Sequence, residues 1–154
     1  MINSVGSPKL VVNGTALDYL AESFMAGDPL DGGGFVIING IEHDDKGEIR
    51  SMETPYPGGN LFSLSSGGAI YVRDPHGRVS SSQLNGGDFT ELTPDDWDIL
   101  EPLLVENETH FGIPLAALLT VEGEVRAPEA VYRKIIPIKS KALSVEADWG
   151  GGHD

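Results

Sequence analysis

The chain has 154 residues, which is enough for one domain with a sizeable core. Its formal net charge is −14, and this argues against binding to nucleic acid or to an anionic membrane surface. It contains no Cys, which excludes disulfides, thiolate zinc sites, iron–sulfur clusters and a cysteine nucleophile on this chain.

The sequence also bears on the compartment. No apolar run approaches the roughly 18 residues that a membrane-spanning helix needs. Residues 1–8 lack a basic segment followed by an apolar stretch, the pattern of a secretory signal. We therefore expect a cytoplasmic protein.

The first predicted elements are a strand and a helix. Residues 9–12 predict an edge strand within an N-terminal arm, residues 1–14. Residues 15–25 carry apolar side chains at helical spacing. Thr15 and Asp18 are placed as a capping box, so this segment predicts a short helix.

A pair of strands follows. Residues 35–42 are mostly apolar and β-branched and predict the first strong strand. Residues 43–47 form a tight connection that ends in Gly47, which suits a left-handed position. Residues 48–53 then predict a returning strand, so the segment indicates a hairpin.

Four Gly-Gly pairs punctuate the chain, and most of them open a short apolar-rich run. The eight glycines are Gly33, Gly34, Gly58, Gly59, Gly67, Gly68, Gly86 and Gly87. A Gly pair suits a corner where the backbone needs a positive φ or where another chain passes closely. The pattern predicts corner-then-strand units that coil into a stack of short strands.

The second half of the chain begins with two such units. Residues 69–73 predict a strand, and residues 74–77 predict a turn with Pro75 at its second position and Gly77 at its fourth. Residues 84–92 predict a further corner and strand.

Helices are predicted near residues 94–120. Thr93 is a suitable N-cap, Pro94 suits the first helical position and Gly112 suits the C-terminal end. The expected buried stripe consists of Trp97, Leu100, Leu103, Leu104 and Phe111. A second short helix is predicted at residues 114–119, packed back on the first.

The chain is predicted to close with a strand at residues 131–138, after a break at Ala127-Pro128. Residues 144–154 predict a flexible acidic tail. We thus expect a single domain over residues 1–143 that is mainly β with a C-terminal helical pair.

Several of these segments share order and spacing with one known domain. The segments are residues 67–74, Gly77-Arg78, Asn85, residues 90–92, residues 96–110, Gly112, Ala116, residues 132–137 and residues 141–143. They resemble the GXGXG domain at the C-terminus of the glutamate synthase large subunit. The resemblance covers residues 58–143 and implies a right-handed parallel β-helix that carries no catalytic residue and holds two catalytic domains apart.

The sequence departs from that family in two ways. Phe111-Gly112-Ile113 stands where the family usually has Thr-Gly-Ser, and there is room for only a few coils. A truncated β-helix exposes an apolar end that a neighbour must cap, which favours a subunit of a complex. As a free-standing acidic chain, the protein is similar to the small γ subunit of acetophenone carboxylase, an ATP-dependent enzyme related to hydantoinases and acetone carboxylase.

Two places in the sequence carry residue types that suit metal or acid–base chemistry. His43-Asp44-Asp45 has metal-ligand residue types, but a solvated hairpin tip explains it better, because adjacent side chains point in different directions. Glu106 and His110 are four residues apart on one helix face, and an ordinary helical pair is favoured over a metal or acid–base site.

Other polar groups also have simpler explanations. His76 is expected to be an exposed turn residue, and Asp95, Asp96 and Asp98 to be acids favoured near a helix N-terminus. Residues 32–34 precede a strand rather than a helix, so they do not predict a phosphate-binding loop. We therefore expect no catalytic, cofactor-binding or metal-binding residue on this chain.

Half of the basic residues lie near the closing strand. This basic strip consists of Arg126, Arg133, Lys134, Lys139 and Lys141. On an acidic chain it is a candidate docking surface for an acidic patch of a partner, with ordinary solvated charge as the alternative.

The leading hypothesis is a non-catalytic scaffold subunit of a cytoplasmic ATP-dependent carboxylase, with ATP and metal on larger partner subunits. One alternative is a detached scaffold domain of a glutamate synthase-like amidotransferase complex. Another is a small metal-dependent enzyme that uses Glu106 and His110.

Overall fold

The structure of the chain is a computed structural model, and it describes residues 8–16, 20, 27–59 and 67–138. In chain order its strands are β1 (Lys9–Val12), β2 (Phe35–Ile38), β3 (Ile41–His43), β4 (Ile49–Ser51), β5 (Ala69–Arg73), β6 (Gly87–Thr90), β7 (Thr120–Val121), β8 (Glu124–Val125) and β9 (Tyr132–Pro137). Its α-helices are α1 (Pro94–Phe111), α2 (Leu115–Leu119) and α3 (Pro128–Val131), and short 3₁₀ turns lie at Pro29–Asp31 and Ser81–Gln83. Across these segments, no helix is both long and apolar enough to cross a bilayer.

The main sheet has five strands in the order β1-β2-β5-β9-β6. β1, β2 and β5 run parallel, whereas β9 runs antiparallel to both of its neighbours, β5 and β6. Two antiparallel hairpins, β3/β4 and β7/β8, form separate small sheets. The described residues therefore form an open mixed sheet with helices packed against it, which is an α/β arrangement.

The prediction of a mainly β, parallel β-helix is wrong. β9 comes from the far end of the chain and pairs antiparallel between β5 and β6, which a parallel coil does not allow. In addition, β2 and β5 are buried along their whole length. Strands covered on both faces have continuous apolar sequences, and this explains the apolar runs that follow Gly33-Gly34 and Gly67-Gly68.

The Gly-Gly pairs lie near strand starts, not at the corners of a coil. Gly33-Gly34 and Gly67-Gly68 immediately precede β2 and β5, and Gly86-Gly87 lies at the start of β6. Gly58-Gly59 ends a described segment. Of these eight glycines, all of them described, only Gly68 has a positive φ, 81°.

The sheet separates two apolar layers. In one, Phe35 and Ile37 of β2 face α1, which contributes the fully buried Leu100 and Leu104. The opposite layer is formed by alternate strand residues and by segments that follow β4 and β5. Its buried members are Leu20, Val36, Ile38, Tyr56, Ile70, Val72, Val79, Leu84 and Ile135.

Helix α1 has the predicted ends. Thr93 is its N-cap and forms a reciprocal capping box with Asp96, Pro94 is its first residue, and Gly112 ends it with a φ of 68°. The expected buried stripe is correct at Leu100 and Leu104 but wrong at Phe111, which is 70% exposed. The second short helix is confirmed as α2.

The strand predicted at residues 35–42 is divided in two by Gly40. Gly40 has a φ of 58°, and a Cβ there would lie 2.8 Å from the Cβ of Pro55. The bend lets β2 enter the main sheet while β3 pairs with β4. The predicted hairpin is thus confirmed as β3 paired with β4. The break between β2 and β3 depends on the close contact of Gly40 with Pro55, which the sequence does not reveal.

The edge strand at residues 9–12 is confirmed as β1, and the closing strand as β9. The turn at residues 74–77 closes with the N–H of Gly77 donating to the carbonyl of Asp74, at 3.2 Å. The predicted helix at residues 15–25 falls mostly outside the described residues, and the predicted tail lies wholly outside them.

Candidate functional site

The carboxyl ends of the three parallel strands carry a connected set of buried polar side chains. Tyr132 donates from its hydroxyl to Oδ1 of Asn39, at 2.6 Å. Asn39 donates to Oδ1 of Asn13, at 2.9 Å, and Asn13 exchanges hydrogen bonds with Asn107 of α1. Burial raises the pKa of Tyr132, so its hydroxyl stays protonated and acts as a donor. The chain of bonds ties β1, β2, β9 and α1 together at this edge.

Arg73, the last residue of β5, lies at the same edge and is 4% exposed. Its Nε donates to the carbonyl of Leu118 at 2.7 Å, and its terminal nitrogens donate to Oγ of Ser51 at 2.7 Å and to the carbonyl of Thr120 at 3.3 Å. All three acceptors are neutral. Burial lowers the pKa of Arg73, but an arginine has so high an intrinsic pKa that it remains charged.

The neighbouring carboxylate of Asp74 is already fully engaged. It accepts hydrogen bonds from the backbone N–H groups of Arg78 and Val79, at 2.8 and 2.9 Å. It also forms an ion pair with Arg133, at 2.9 Å. The guanidinium of Arg133 in turn lies over the ring of Phe89, 3.6 Å from its centroid. Asp74 thus holds the turn after β5 and neutralises Arg133.

A cleft of about 240 Å³ lies between the segments that follow β2, β4 and β5. We call it the Arg73 cleft, and its lining includes Gly40, Ser51, Pro55, Arg73, His76 and Arg78. A second depression, on the side of the hairpin β7/β8, shares Ser51 and Arg73 with it. The buried guanidinium therefore lies between two surface depressions. The arrangement can present positive charge and N–H donors to a small anion.

A buried ion pair lies in the layer under α1. Nζ of Lys134 and the hydroxyl of Tyr71 each donate to Oδ1 of Asp96, both at 2.7 Å. Thr93 donates to Oδ2 from its backbone N–H and its hydroxyl, each at 2.9 Å. Burial raises the pKa of Asp96, but these hydrogen bonds outweigh it and hold the pKa below its ordinary value. Burial and the contact with Asp96 raise the pKa of Tyr71.

Three of the five residues of the predicted basic strip are described, and each lies beside a carboxylate. Arg133 is paired with Asp74, and Lys134 is buried against Asp96. Arg126 is exposed, and its Nη2 lies 3.7 Å from Oε2 of Glu124. Lys139 and Lys141 fall outside the described residues. The two cations at the centre of the strip therefore stabilise the fold, and docking of a partner on the strip stays a prediction.

The other polar groups singled out in the sequence lie apart from one another. Asp44 accepts hydrogen bonds from the N–H groups of Lys46 and Glu48, both at 2.9 Å, and so shapes the hairpin tip. Glu106 and His110 are both exposed on α1. Within the described segments, no group of three or more His, Cys, Asp or Glu residues is placed to hold a metal ion.

Sequence reasoning missed Arg73 as a site residue. A signal was present, because Arg73 ends an otherwise apolar strand, and a charged residue in a buried strand calls for a partner. The neutral acceptors of Leu118 and Thr120 are distant in sequence, so the missing carboxylate could be recognised only in the fold.

Comparisons of the chain with known protein families, characterised proteins and solved structures gave no match. The resemblance to the GXGXG domain therefore stays a prediction, but the β-helix that it implied is wrong.

Proposed function

We propose that this chain is a non-catalytic small subunit of a larger cytoplasmic enzyme complex. The complex expected from the sequence is an ATP-dependent carboxylase of the acetophenone carboxylase, acetone carboxylase or hydantoinase type. In this proposal ATP, metal and substrate are bound by larger partner subunits, and the chain contributes structure. The subunit role cannot be argued from the exposed end of a β-helix, because the chain forms a mixed sheet. The argument for it comes instead from the exposed edge of that sheet.

The observation that carries the proposal is the open edge of β1. Among the described residues, β1 pairs with β2 on one side only. The carbonyls of Pro8 and Val12 accept bonds from the β2 side. Since backbone groups of a strand alternate in direction, those of Lys9 and Val11 point away from β2. An unpaired strand edge is a template for an extended segment of another chain.

The side chains of β1 suit such an addition. Lys9 and Leu10 are exposed, and Leu10 retains 41% of its accessible surface. A partner strand would gain main-chain hydrogen bonds from the edge and apolar contact from Leu10. We therefore assign the edge to an extended segment of a larger partner subunit.

The decisive variant is Val11→Pro. Proline removes the outward N–H of residue 11 and adds bulk on that side, while the bonds between β1 and β2 stay possible. We expect the variant to fold but to lose the partner chains, as measured by native mass spectrometry of the complex from the source cell. The matched control is Val11→Ala, which shortens the side chain and keeps the N–H, so it should retain the partners.

Three results would contradict the proposal. The first is a native chain that is free of partners in the cell extract, and the second is a Val11→Pro variant that binds them like the wild type. The third is ATP hydrolysis or ketone carboxylation by the purified chain alone. Recovery with iron–sulfur and amidotransferase chains, instead of large ATPase-like chains, would reassign the complex to the glutamate synthase type.

A further inference from the structure

Arg73 has a property that neither the fold nor the subunit role explains. β5 and β9 carry three cationic side chains: Arg73 and Lys134 are buried, and Arg133 is half-buried. Arg133 and Lys134 each have a carboxylate partner. In the part of the chain that the structure describes, Arg73 has none, although it is the most deeply buried of the three. A buried charge without a counter-charge is costly and needs an explanation.

The hydrogen bonds of Arg73 leave capacity for a ligand. A guanidinium has five N–H donors, and three of them are used by Leu118, Ser51 and Thr120. One hydrogen on each terminal nitrogen therefore has no acceptor among the described residues. Two such hydrogens suit the oxygens of a carboxylate or a phosphate, which guanidinium groups bind in planar, paired geometry.

The charges around the Arg73 cleft favour an anion. Asp74 is neutralised by Arg133. Arg78 and His76 are exposed and line the cleft, and Nη1 of Arg78 donates to the backbone carbonyl of Glu53, at 3.1 Å. The carboxylate of Glu53 is the one acid in the lining without an ion pair to a described residue. The two arginines of the lining, neither of which has such an ion pair, outnumber it, so the cleft keeps an excess of positive charge.

The place in the fold agrees with a ligand site. Ligands of open α/β sheets bind outside the carboxyl ends of the parallel strands, and Arg73 stands at the carboxyl end of β5. The volume of about 240 Å³ lies below the roughly 300–1,000 Å³ of pockets for drug-sized ligands. This size suits a small anion.

We propose that the Arg73 cleft is a binding site for a small oxyanion, a carboxylate or a phosphate, held by Arg73 with Arg78 at its mouth. The anion supplies the counter-charge that the protein itself does not provide. The site does not depend on the subunit role, because every residue in it belongs to this chain.

The test is a nuclear magnetic resonance titration of the full chain at constant ionic strength. Sodium acetate and inorganic phosphate are the two probes, each exchanged against sodium chloride. We expect saturable shifts of the backbone N–H signals around Ser51, Arg73 and Arg78, and the probe with the lower Kd identifies carboxylate or phosphate as the ligand chemistry. Arg78→Gln should raise the Kd by about tenfold, the loss of one charge-assisted hydrogen bond.

The control is Lys46→Gln. Lys46 is an exposed lysine between β3 and β4, outside the lining of the Arg73 cleft and of the second depression, so its loss changes the net charge equally without touching either. We expect the Kd of this variant to stay within about twofold of the wild type. Arg73→Gln should abolish saturation, with circular dichroism reporting whether it folds; if it does not, the pair Arg78→Gln and Lys46→Gln decides. No saturation by either probe, or an equal effect of the two surface variants, would overturn the proposal.

Discussion

Asp96 holds the start of a helix and a buried cation with the same carboxylate. One oxygen accepts from Thr93 and completes the capping box, and the other accepts from Lys134 and Tyr71. The sequence marks it only as an acid in the first helical turn, like Asp95. Its burial distinguishes it, because Asp96 is completely buried and Asp95 is exposed.

We predict that Asp96→Asn lowers the free energy of unfolding by about 3–5 kcal/mol at pH 7, because it leaves the charge of Lys134 buried without a partner. The pKa of Asp96 is lowered by folding, so the unfolded chain takes up the proton first as the pH falls. The contribution of ionised Asp96 is therefore complete above about pH 4, the unfolded pKa. It is lost as the pH falls through the lower pKa of the folded state.

Urea unfolding of the wild type and of Asp96→Asn between pH 7 and pH 3 measures this contribution. The difference between the two proteins should be constant near neutral pH and shrink below about pH 4. Asp95→Asn is the matched control on the same helical turn, and it should change the free energy of unfolding by less than about 1 kcal/mol. If the difference in free energy of unfolding between the two proteins grew as the pH fell, the ion pair would be refuted.

At the scale of the element, α1 continues through a proline that would be expected to end it. Pro102 lies inside the helix and is exposed, between the buried Leu100 and Leu104. A proline in a helix interior removes one backbone hydrogen bond and strains the preceding turn. The helix persists because its apolar face is buried on β2 and β5, and such packing overrides local propensity.

We predict that Pro102→Ala raises the free energy of unfolding by about 1–3 kcal/mol, since it restores the bond to the carbonyl of Asp98 and relieves the strain. Chemical denaturation followed by circular dichroism measures the change. Glu101→Ala, at the exposed neighbouring position, should change stability by less than about 0.5 kcal/mol. An unaltered or lower stability of Pro102→Ala would show that α1 is distorted in a way that already accommodates the ring.

At the scale of the whole molecule, the net charge of −14 repels itself across the folded surface. Among the described residues, four acids form ion pairs, and two of these, Asp74 with Arg133 and Asp96 with Lys134, are buried. The folded state concentrates the remaining charge, so its stability depends on screening by salt.

We predict that raising sodium chloride from about 20 to 200 mM increases the Tm by about 2–4 °C, the equivalent of roughly 1 kcal/mol for a chain of this size. Thermal melts at constant pH measure the shift. Potassium chloride at equal ionic strength serves as the control, and it should give the same increase if screening is the cause. A Tm that is independent of salt would mean that the surface charges are already balanced locally.

Local patterns in the sequence were sufficient for most of the elements. Thr93, Pro94 and Gly112 predicted both ends of α1, and the apolar runs predicted β1, β5 and β9. These features depend on neighbours within a few residues, so they can be read along the chain. The eight corner glycines marked strand starts in most cases, but not how the strands are ordered.

The order and direction of the strands and the partners of the buried charges were decided only by the tertiary structure. A run such as Phe35–Ile38 has the same sequence whether it forms a coil of a β-helix or the centre of a mixed sheet; the insertion of β9 beside β5 settles that choice. The exposed charge expected of Lys134 became an internal ion pair, and Arg73 was left with neutral acceptors from distant segments. The reason is physical: propensity and capping act within a turn or a strand, whereas the balance of a buried charge depends on residues that only folding brings within a few ångströms.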